Sequence, residues 1–345
     1  MSGEGLAEAV ARVREGVRAG GLLESERPLV AMLSGGRDSV CLLDVAVALR
    51  EAHAVSALHV NYGLREQADA DEHHCARLCE ALGVELRVVR ERRPAGELGG
   101  ATDARVAGNL QAWARAVRYR AAGEVAGERD ALIASGHTAS DQVETILYRL
   151  AASPGRRALL GMLPSDRTES GQPLVRPLLG VTREQTAAYC RARGLQWRED
   201  ESNEDTEYAR ARVRLGLVPA LRAVHPAAEA NVLRTARLLR EEAELLDALV
   251  GDELAGGRRI AIERLKQLPP ALARLVVVRL AEEAAGTYVP QAGARVDELL
   301  ALGRRGGRAE LHLGGSASAV IEHGELRMVK LPPRAGAPPL PEQSI

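Results

Sequence analysis

A short apolar run ends at Leu33, a small-residue turn follows it, and a helix with apolar periodicity opens directly afterwards. Residues 30–43 read VAMLSGGRDSVCLL. The six from Ser34 to Ser39, SGGRDS, constrain the fold more than any other stretch. Strand, tight turn and helix in that order build an anion site at a helix N-terminus, where unpaired N–H groups and the positive end of the dipole favour negative charge. Gly35 and Gly36 lack Cβ, so the backbone can turn sharply and bring its N–H groups close to a phosphate. Ser34 and Ser39 add hydroxyls at the same mouth, and Arg37 and Asp38 complete the string. The turn carries neither GxxxxGK[ST] nor GxGxxG, which excludes the usual kinase or GTPase phosphate loop and the dinucleotide fingerprint.

The rest of the first half repeats this alternation. Strands are expected at 29–33, 55–60, 86–89, 131–135 and 174–175, and helices near 39–51, 66–82, 104–127, 138–151 and 182–193. Short β-rich runs between helical periodicities predict an α/β fold with a doubly wound, mainly parallel sheet. In such sheets ligands sit at the carboxyl ends of the strands. Three polar clusters fall at those ends: SGGRDS after the first strand, His59-Val60-Asn61-Tyr62-Gly63-Leu64-Arg65 at the second, and Ser135-Gly136-His137 at the fourth.

Each cluster carries candidate chemistry. His59 and Asn61 offer hydrogen bonds to a nucleotide or substrate, and Arg65 offers a bidentate phosphate contact; a plain polar loop is the alternative. After Gly136 and His137 the sequence continues TASDQVETILYRL. Asp141 and Glu144 are i and i+3 on that helix and share a face. Two carboxylates beside a triphosphate suit Mg²⁺ or a substrate ammonium, whereas acids in a first turn also complement the helix dipole. Arg115 and Arg118, in NLQAWARAVRYR, are read equally as an anion contact or as a solvated face.

Composition narrows the class. The chain has 345 residues, enough for two domains, and its net charge of −1 gives no global argument for nucleic-acid binding. The distribution of charge does: Tyr208 to Arg240 holds seven arginines, Arg210, Arg212 and Arg214 among them, against one acid, Glu229. Such a block suits a localised polyanion contact, although an arginine-rich solvated helix face is equally compatible. Cys41, Cys75, Cys79 and Cys190 include no CxxC pair. Cys75 and Cys79, with His73 and His74 nearby, leave a metal site or buried free thiols open. No run approaches the roughly 20 apolar residues that span a bilayer. The first 17 residues read as an amphipathic helix with acids in it, not as a signal peptide, which points to the cytoplasm and away from membranes. The polar stretch 198–205, REDESNED, marks the expected domain boundary. The expected domains are thus 1–205, then 206–330 as a smaller, mainly helical domain with a terminal β-hairpin, then a proline-rich disordered tail, 331–345. Helices are expected at 210–223, 226–249 and 269–285, a short strand at 258–262, and hairpin strands at 309–313 and 319–328.

SGGRDS after a buried strand resembles the pyrophosphate loop of the N-type ATP pyrophosphatases. Taken with HVNYGLR, ARAVRY and GHTASDQVET, the pattern resembles one family, the tRNA(Ile)-lysidine synthetases. The best discriminator is the segment 197–205, WREDESNED, followed by Arg210-Ala211-Arg212-Val213-Arg214, which is similar to that family's DxSNxDxxxxRNxIR; Arg176-Pro177-Leu178-Leu179 also fits. The likeness covers residues 28–223. Departures are Tyr62 and Thr138 where His is usual, Ser140 for Asp, Ala211 for Asn, and Ala152, Ser153 and Pro154 in a glycine-rich stretch of which Gly155 remains. The chain resembles the family's shorter form.

The resemblance implies a Rossmann-like fold and ligation of L-lysine to the wobble cytidine of a CAU-anticodon isoleucine tRNA, with ATP and Mg²⁺ and through an adenylated base. It implies catalytic roles for Asp38, Asp141 and Glu144, with Asp38 and Asp141 as metal ligands. ATP contacts would come from Ser34, Gly35, Gly36, Arg37, Asp38, Ser39, His59, Asn61, Gly136 and His137. Substrate and tRNA contacts would come from Arg65, Arg115, Arg118, Asn203, Asp205, Arg210, Arg212 and Arg214, with 1–205 as the ATP-pyrophosphatase catalytic domain and 206–330 as the tRNA-binding and substrate domain. A tRNA thiolase on the same fold and a non-catalytic nucleotide-binding module are the competing readings, and a monomer and a homodimer both stay open.

Overall fold

The structure is a computed structural model that describes residues 3–63, 67–92, 104–152, 156–199, 209–289, 291–314 and 316–331. Arg65, Asn203, Asp205, residues 153–155 and residues 332–345 of the proline-rich tail lie outside the described residues. Two compact units divide the chain at Arg237/Leu238. This is later than the 205/206 boundary, because Val213 and Val218 are buried against Val143 of the preceding domain.

The first unit opens with α1 (Gly3–Ala19) and then alternates: β1 (Leu29–Met32), α2 (Arg37–Arg50), β2 (Val55–Asn61), α3 (Ala68–Leu82), β3 (Glu85–Arg90), α4 (Ala104–Glu128), β4 (Leu132–Ala134) and α5 (Ala139–Ala152). There follow α6 (Arg156–Leu160), β5 (Ser165–Arg167), β6 (Pro173–Val175) and α7 (Arg183–Arg193). The strands form one sheet in the order β3-β2-β1-β4-β6-β5. All pairings are parallel except β5 with β6. The expected sheet is therefore present, with one antiparallel edge strand added. β5 reads SDR and is fully exposed, so no apolar alternation announces it.

Period-2 burial explains the two layers. Leu29, Ala31, Leu33, Val55 and Ala57 face a cluster that includes Val13 of α1, Leu42 of α2, Cys75 of α3 and Tyr189 of α7. The alternate residues Val30, Met32, Leu58 and Ile133 face Ala122 and Val125 of α4. Both sheet faces are covered, which is why these strands read as continuous apolar runs. The strand order reverses between β1 and β4, the position at which such sheets bind ligands.

The segment expected as one helix over 210–223 consists of α8 (Ala209–Arg212), a π-helical turn (Val213–Leu217) and α9 (Val218–Val224). Pro219 in the first turn of α9 has no N–H to donate, and the Val218 N–H reaches back to the Val213 carbonyl. The helix thus widens by one residue there. The division between the units falls within α10 (Ala228–Leu254). The second unit continues with β7 (Arg259–Ala261), α11 (Ile262–Gln267), α12 (Pro270–Ala285), α13 (Val296–Arg304), β8 (Ala309–Gly314), β9 (Ala317–Glu322) and β10 (Glu325–Lys330). The expected hairpin is part of a four-stranded antiparallel sheet, β7-β10-β9-β8. Among the described residues no helix is long and apolar enough to cross a membrane.

Candidate active site

The turn after β1 is held open by its own residues. Gly35 has φ +84°, and a Cβ there would lie 3.3 Å from Cys75 Sγ, so glycine answers both the backbone and the space. Ser34 Oγ accepts from the Gly36 N–H at 3.3 Å and lies 3.1 Å from Ser39 Oγ, which donates to the Gly36 carbonyl at 2.8 Å. The two serines therefore brace the loop. Gly36 is the N-cap of α2, and no side chain caps that end. By contrast α7 begins with a complete capping box, Thr182 with Gln185. The N-terminus of α2 is thus left available to an anion.

Gly136 brings the end of β4 against this turn. A Cβ at Gly136 would sit 3.1 Å from the Asp38 carbonyl carbon and oxygen and 3.2 Å from the Ser39 nitrogen. On the other side the Arg198 N–H donates to the Gly35 carbonyl at 2.9 Å, and Arg198 Nε donates to Asp71 at 2.9 Å. The chain after α7 is thereby tied to the phosphate turn.

The acids are bound to arginines. Arg183 donates to Glu144 Oε1 at 2.8 Å and to Asp141 Oδ1 at 2.9 Å, and its Nε is 3.9 Å from Asp38 Oδ2. Arg210 donates to Glu144 Oε2 at 3.2 Å and to Asp141 Oδ1 at 3.1 Å. Asp141 Oδ2 accepts from the Thr138 N–H at 2.8 Å and from its hydroxyl at 2.7 Å. Burial alone would push the Asp141 carboxyl up, but Arg210 and Arg183 outweigh it and hold the group at about 2. The reciprocal interaction overcomes the burial of Arg183 and raises its pKa. Burial pushes the His137 imidazole down to about 3, with Arg210, Arg176 and Arg118 adding to the effect against Asp141, so the ring is neutral. Its Nδ1 lies 2.8 Å from Ser135 Oγ.

These groups surround a cleft of about 620 Å³. Ser34, Gly36, Arg37, Asp38, Ser39, His59, Asn61, Gly136, His137, Asp141, Arg118 and Arg214 all line it. Gly35, Glu144, Arg115, Arg210 and Arg212 do not, although Glu144 and Arg210 touch Asp141 or its partner Arg183. Arg115 stacks on Tyr119 at 4.8 Å. His59 Nδ1 is 2.9 Å from the Leu33 carbonyl. Asn61 donates to Asp69 and Glu72 at 3.0 and 2.9 Å and accepts from the Gly63 N–H at 2.9 Å. His59 Nδ1 thus ties β2 to the end of β1, and the Asn61 amide ties it to α3 and to Gly63.

Sequence reasoning missed Arg183 and Thr186. Thr186 Oγ1 donates to Asp38 Oδ1. A signal for Arg183 existed: a cation opening a helix opposes the dipole and implies an acidic partner. Three of the departures have local explanations. Thr138 holds Asp141, Ser140 Oγ accepts from the Arg183 N–H at 3.1 Å, and Tyr62 donates to the Ala114 carbonyl at 3.0 Å beside Trp113.

As a metal site the cleft divides. All four oxygen contacts of Asp141 are taken up by Thr138, Arg183 and Arg210. Among the described residues, Asp38 Oδ2 meets only Arg183 at 3.9 Å. Mg²⁺ is held by one or two carboxylates plus phosphates. Asp38 fits that donor set, and Asp141 as it stands does not.

An uncapped helix N-terminus at the switch point of a parallel sheet, facing half-buried carboxylates, is the arrangement of a PP-loop ATP-binding domain, and the PP-loop domain family matches residues 8–221. The chain belongs to the tRNA(Ile)-lysidine synthase family. It is 37% identical to the tRNA(Ile)-lysidine synthase of Pseudomonas aeruginosa over 70% of this chain and 55% of that protein. It is 36% identical to that of Salinispora tropica over 94% of this chain and 97% of that protein. The chain spans about half the length of several other curated relatives it matches. The U34-tRNA thiolase of Methanococcus maripaludis, solved with its [4Fe-4S] cluster, shares the fold with a TM-score of 0.54 at 18% identity, covering 67% of this chain and 79% of that one.

Proposed function

We propose that this chain joins L-lysine to C2 of the wobble cytidine in a CAU-anticodon isoleucine tRNA, consuming ATP and releasing AMP and pyrophosphate, and that it acts in the cytoplasm. The observation that carries this reading is the meeting of the uncapped α2 N-terminus with Asp38, Asp141 and Arg183 around one cleft, in a chain of this family. Cytosine O2 attacks the α-phosphorus of ATP and pyrophosphate leaves. The lysine ε-amine then attacks C2, the C2–O bond breaks with AMP as leaving group, and the amine loses its proton.

The N–H groups of the phosphate turn stabilise the charge that develops on the pyrophosphate. Asp38 would hold Mg²⁺, which supplies further neutralisation of the phosphates when bound. Asp141 and Glu144 receive the lysine ammonium in exchange with the guanidinium donors that surround them. The anticodon base is splayed out of its loop at low cost. Arg118 and Arg214 at the cleft, together with Arg115, Arg210 and Arg212, meet the tRNA backbone. Arg65, Asn203 and Asp205 are assigned to the same contact from the sequence.

The test supplies ATP, radiolabelled lysine and the CAU-anticodon tRNA. Label in the tRNA is expected. Pyrophosphate release that depends on a sulfur donor would replace this reading with a thiolase, and ATP binding without turnover would replace it with a binding module. The cysteines argue against the thiolase. All four are buried, none lines the cleft, and burial pushes the Cys75 and Cys79 thiols up to about 12.

A further inference from the structure

Helix α7 carries a polar ladder of which the reaction above uses only the first residue, Arg183. Arg183, Thr186, Cys190 and Arg193 recur at three- and four-residue spacing and share one face. That face meets α2 at both ends. At the far end Arg193 donates to Asp44 at 3.1 and 3.2 Å, and the Tyr189 hydroxyl donates to the same carboxylate at 2.6 Å. Asp44 is 2% exposed, and Arg14 of α1 adds a second cation, at 3.8 Å. A buried carboxylate is costly to leave without its donors, so these bonds fix the register of α7 on α2. In the middle Cys190 Sγ lies 3.7 Å from the Arg37 carbonyl.

At the near end stands Thr186, fully buried. Its hydroxyl donates to Asp38 Oδ1 at 2.5 Å, accepts from Arg37 Nε at 3.2 Å, and lies 3.0 Å from the Arg183 carbonyl. Arg37 Nε also reaches Asp38 Oδ1, at 3.2 Å. One oxygen of Asp38 is therefore hydrogen-bonded to Thr186, while among the described residues the other has only Arg183, at 3.9 Å.

We propose that Thr186 is a positioning residue for Asp38. Its hydroxyl fixes the rotation of the carboxylate, so that Oδ1 is committed to α7 and Oδ2 is the oxygen presented to the metal–nucleotide complex. The Asp44 cluster holds α7 in the register this requires. The inference rests on the assignment of Asp38 to Mg²⁺ and ATP made above.

Thr186→Val keeps the volume and removes the hydroxyl, whereas Thr186→Ser keeps the hydroxyl. Calorimetric titration of the full chain with ATP, with Mg²⁺ and with EDTA, reads the metal-dependent part of the affinity without turnover. A hydrogen bond to a charged group sets the scale, so Thr186→Val should lower that part by about tenfold or more, and Thr186→Ser should stay within about threefold of the wild type. A Val variant equal to the wild type, or a Ser variant as weak as Val, overturns the proposal. Failure of the underlying assignments reads differently. Asp38→Asn with no loss of metal-dependent affinity removes the basis of the inference, while a wild-type chain that binds ATP with Mg²⁺ and makes no lysidine overturns the functional reading alone.

Discussion

Both units bury an apolar core, and they differ in what else they bury. In the first, Asp44, His59, Asn61, Glu144, Arg176 and Thr186 are all buried. In the second, Ser318 is the one buried polar residue among those described, and Val276, Leu280, Leu299, Leu313 and Ile321 close a plain apolar core. Buried polar groups cost free energy unless every bond is met. Their concentration in one unit marks where the structure accepts that cost in return for chemistry. The core of the second unit is a packing problem alone, and substitutions inside it are expected to change stability.

The largest effect expected from this difference is at Asp38. Asp38→Ala removes the carboxylate assigned to Mg²⁺ and should lower tRNA-dependent pyrophosphate release by about 10³-fold or more. Wild-type turnover in that variant would dissolve the contrast between the units. Leu299→Ala probes the other side. Leu299 is fully buried in α13, and truncation there should cost about 3 kcal/mol in denaturant unfolding. ATP affinity measured well below that transition should stay within about twofold. A larger loss of affinity would show that the second core serves the site.

Two crowded glycines sharpen the comparison. A Cβ at Gly136 meets the Asp38 backbone at 3.1 Å, and a Cβ at Gly303 meets Ile262 Cγ2 at 2.6 Å. The first neighbour is the phosphate turn itself and the second is a core side chain. Gly136→Ala should weaken ATP binding by about tenfold, since a shifted donor array costs on the order of 1.4 kcal/mol or more. Gly303→Ala should lower only the unfolding midpoint. Calorimetry with ATP separates the two, and equal affinities for both variants would refute the argument.

Legibility from the sequence followed the range of the interactions. The strand–turn–helix around SGGRDS was readable because adjacent residues specify it, and β1 and β4 were readable because buried parallel strands carry continuous apolar runs. β5 was not, because an exposed polar edge strand leaves no pattern. Residues 209–224 carry helical periodicity, but the widened turn before Pro219 depends on one missing donor. Asp141 and Glu144 were visible as a pair on one face. Their arginine partners were not, because Arg183 and Arg210 reach Asp141 from 42 and 69 residues away in sequence. Thr186 is 148 residues from Asp38. Such contacts exist only once the sheet has placed α7 beside α2.

The smallest predicted effect is one of pH, and it tests whether the polar interior of the first unit carries a measurable cost. Burial pushes His137 down to about 3, against about 6.5 in an unfolded chain. Between those values the unfolded chain takes up a proton that the folded chain refuses, so this share of stability is complete above pH 6.5 and is lost as pH falls towards 3. The slope is at most about 1.4 kcal/mol per pH unit for one proton. His74 is lowered as well, again mainly by burial, and contributes in the same direction. Asp141 extends the loss downwards. Its carboxyl is held at about 2, below its ordinary value of 3.8, so its contribution is present above 3.8 and disappears towards 2. Urea unfolding of His137→Gln between pH 7 and pH 4.5 should therefore show a shallower slope than the wild type, reduced by up to one proton, with the share of His74 remaining. A variant with the wild-type slope would mean that His137 titrates like an exposed histidine, and the polar interior would lose its clearest pH signature.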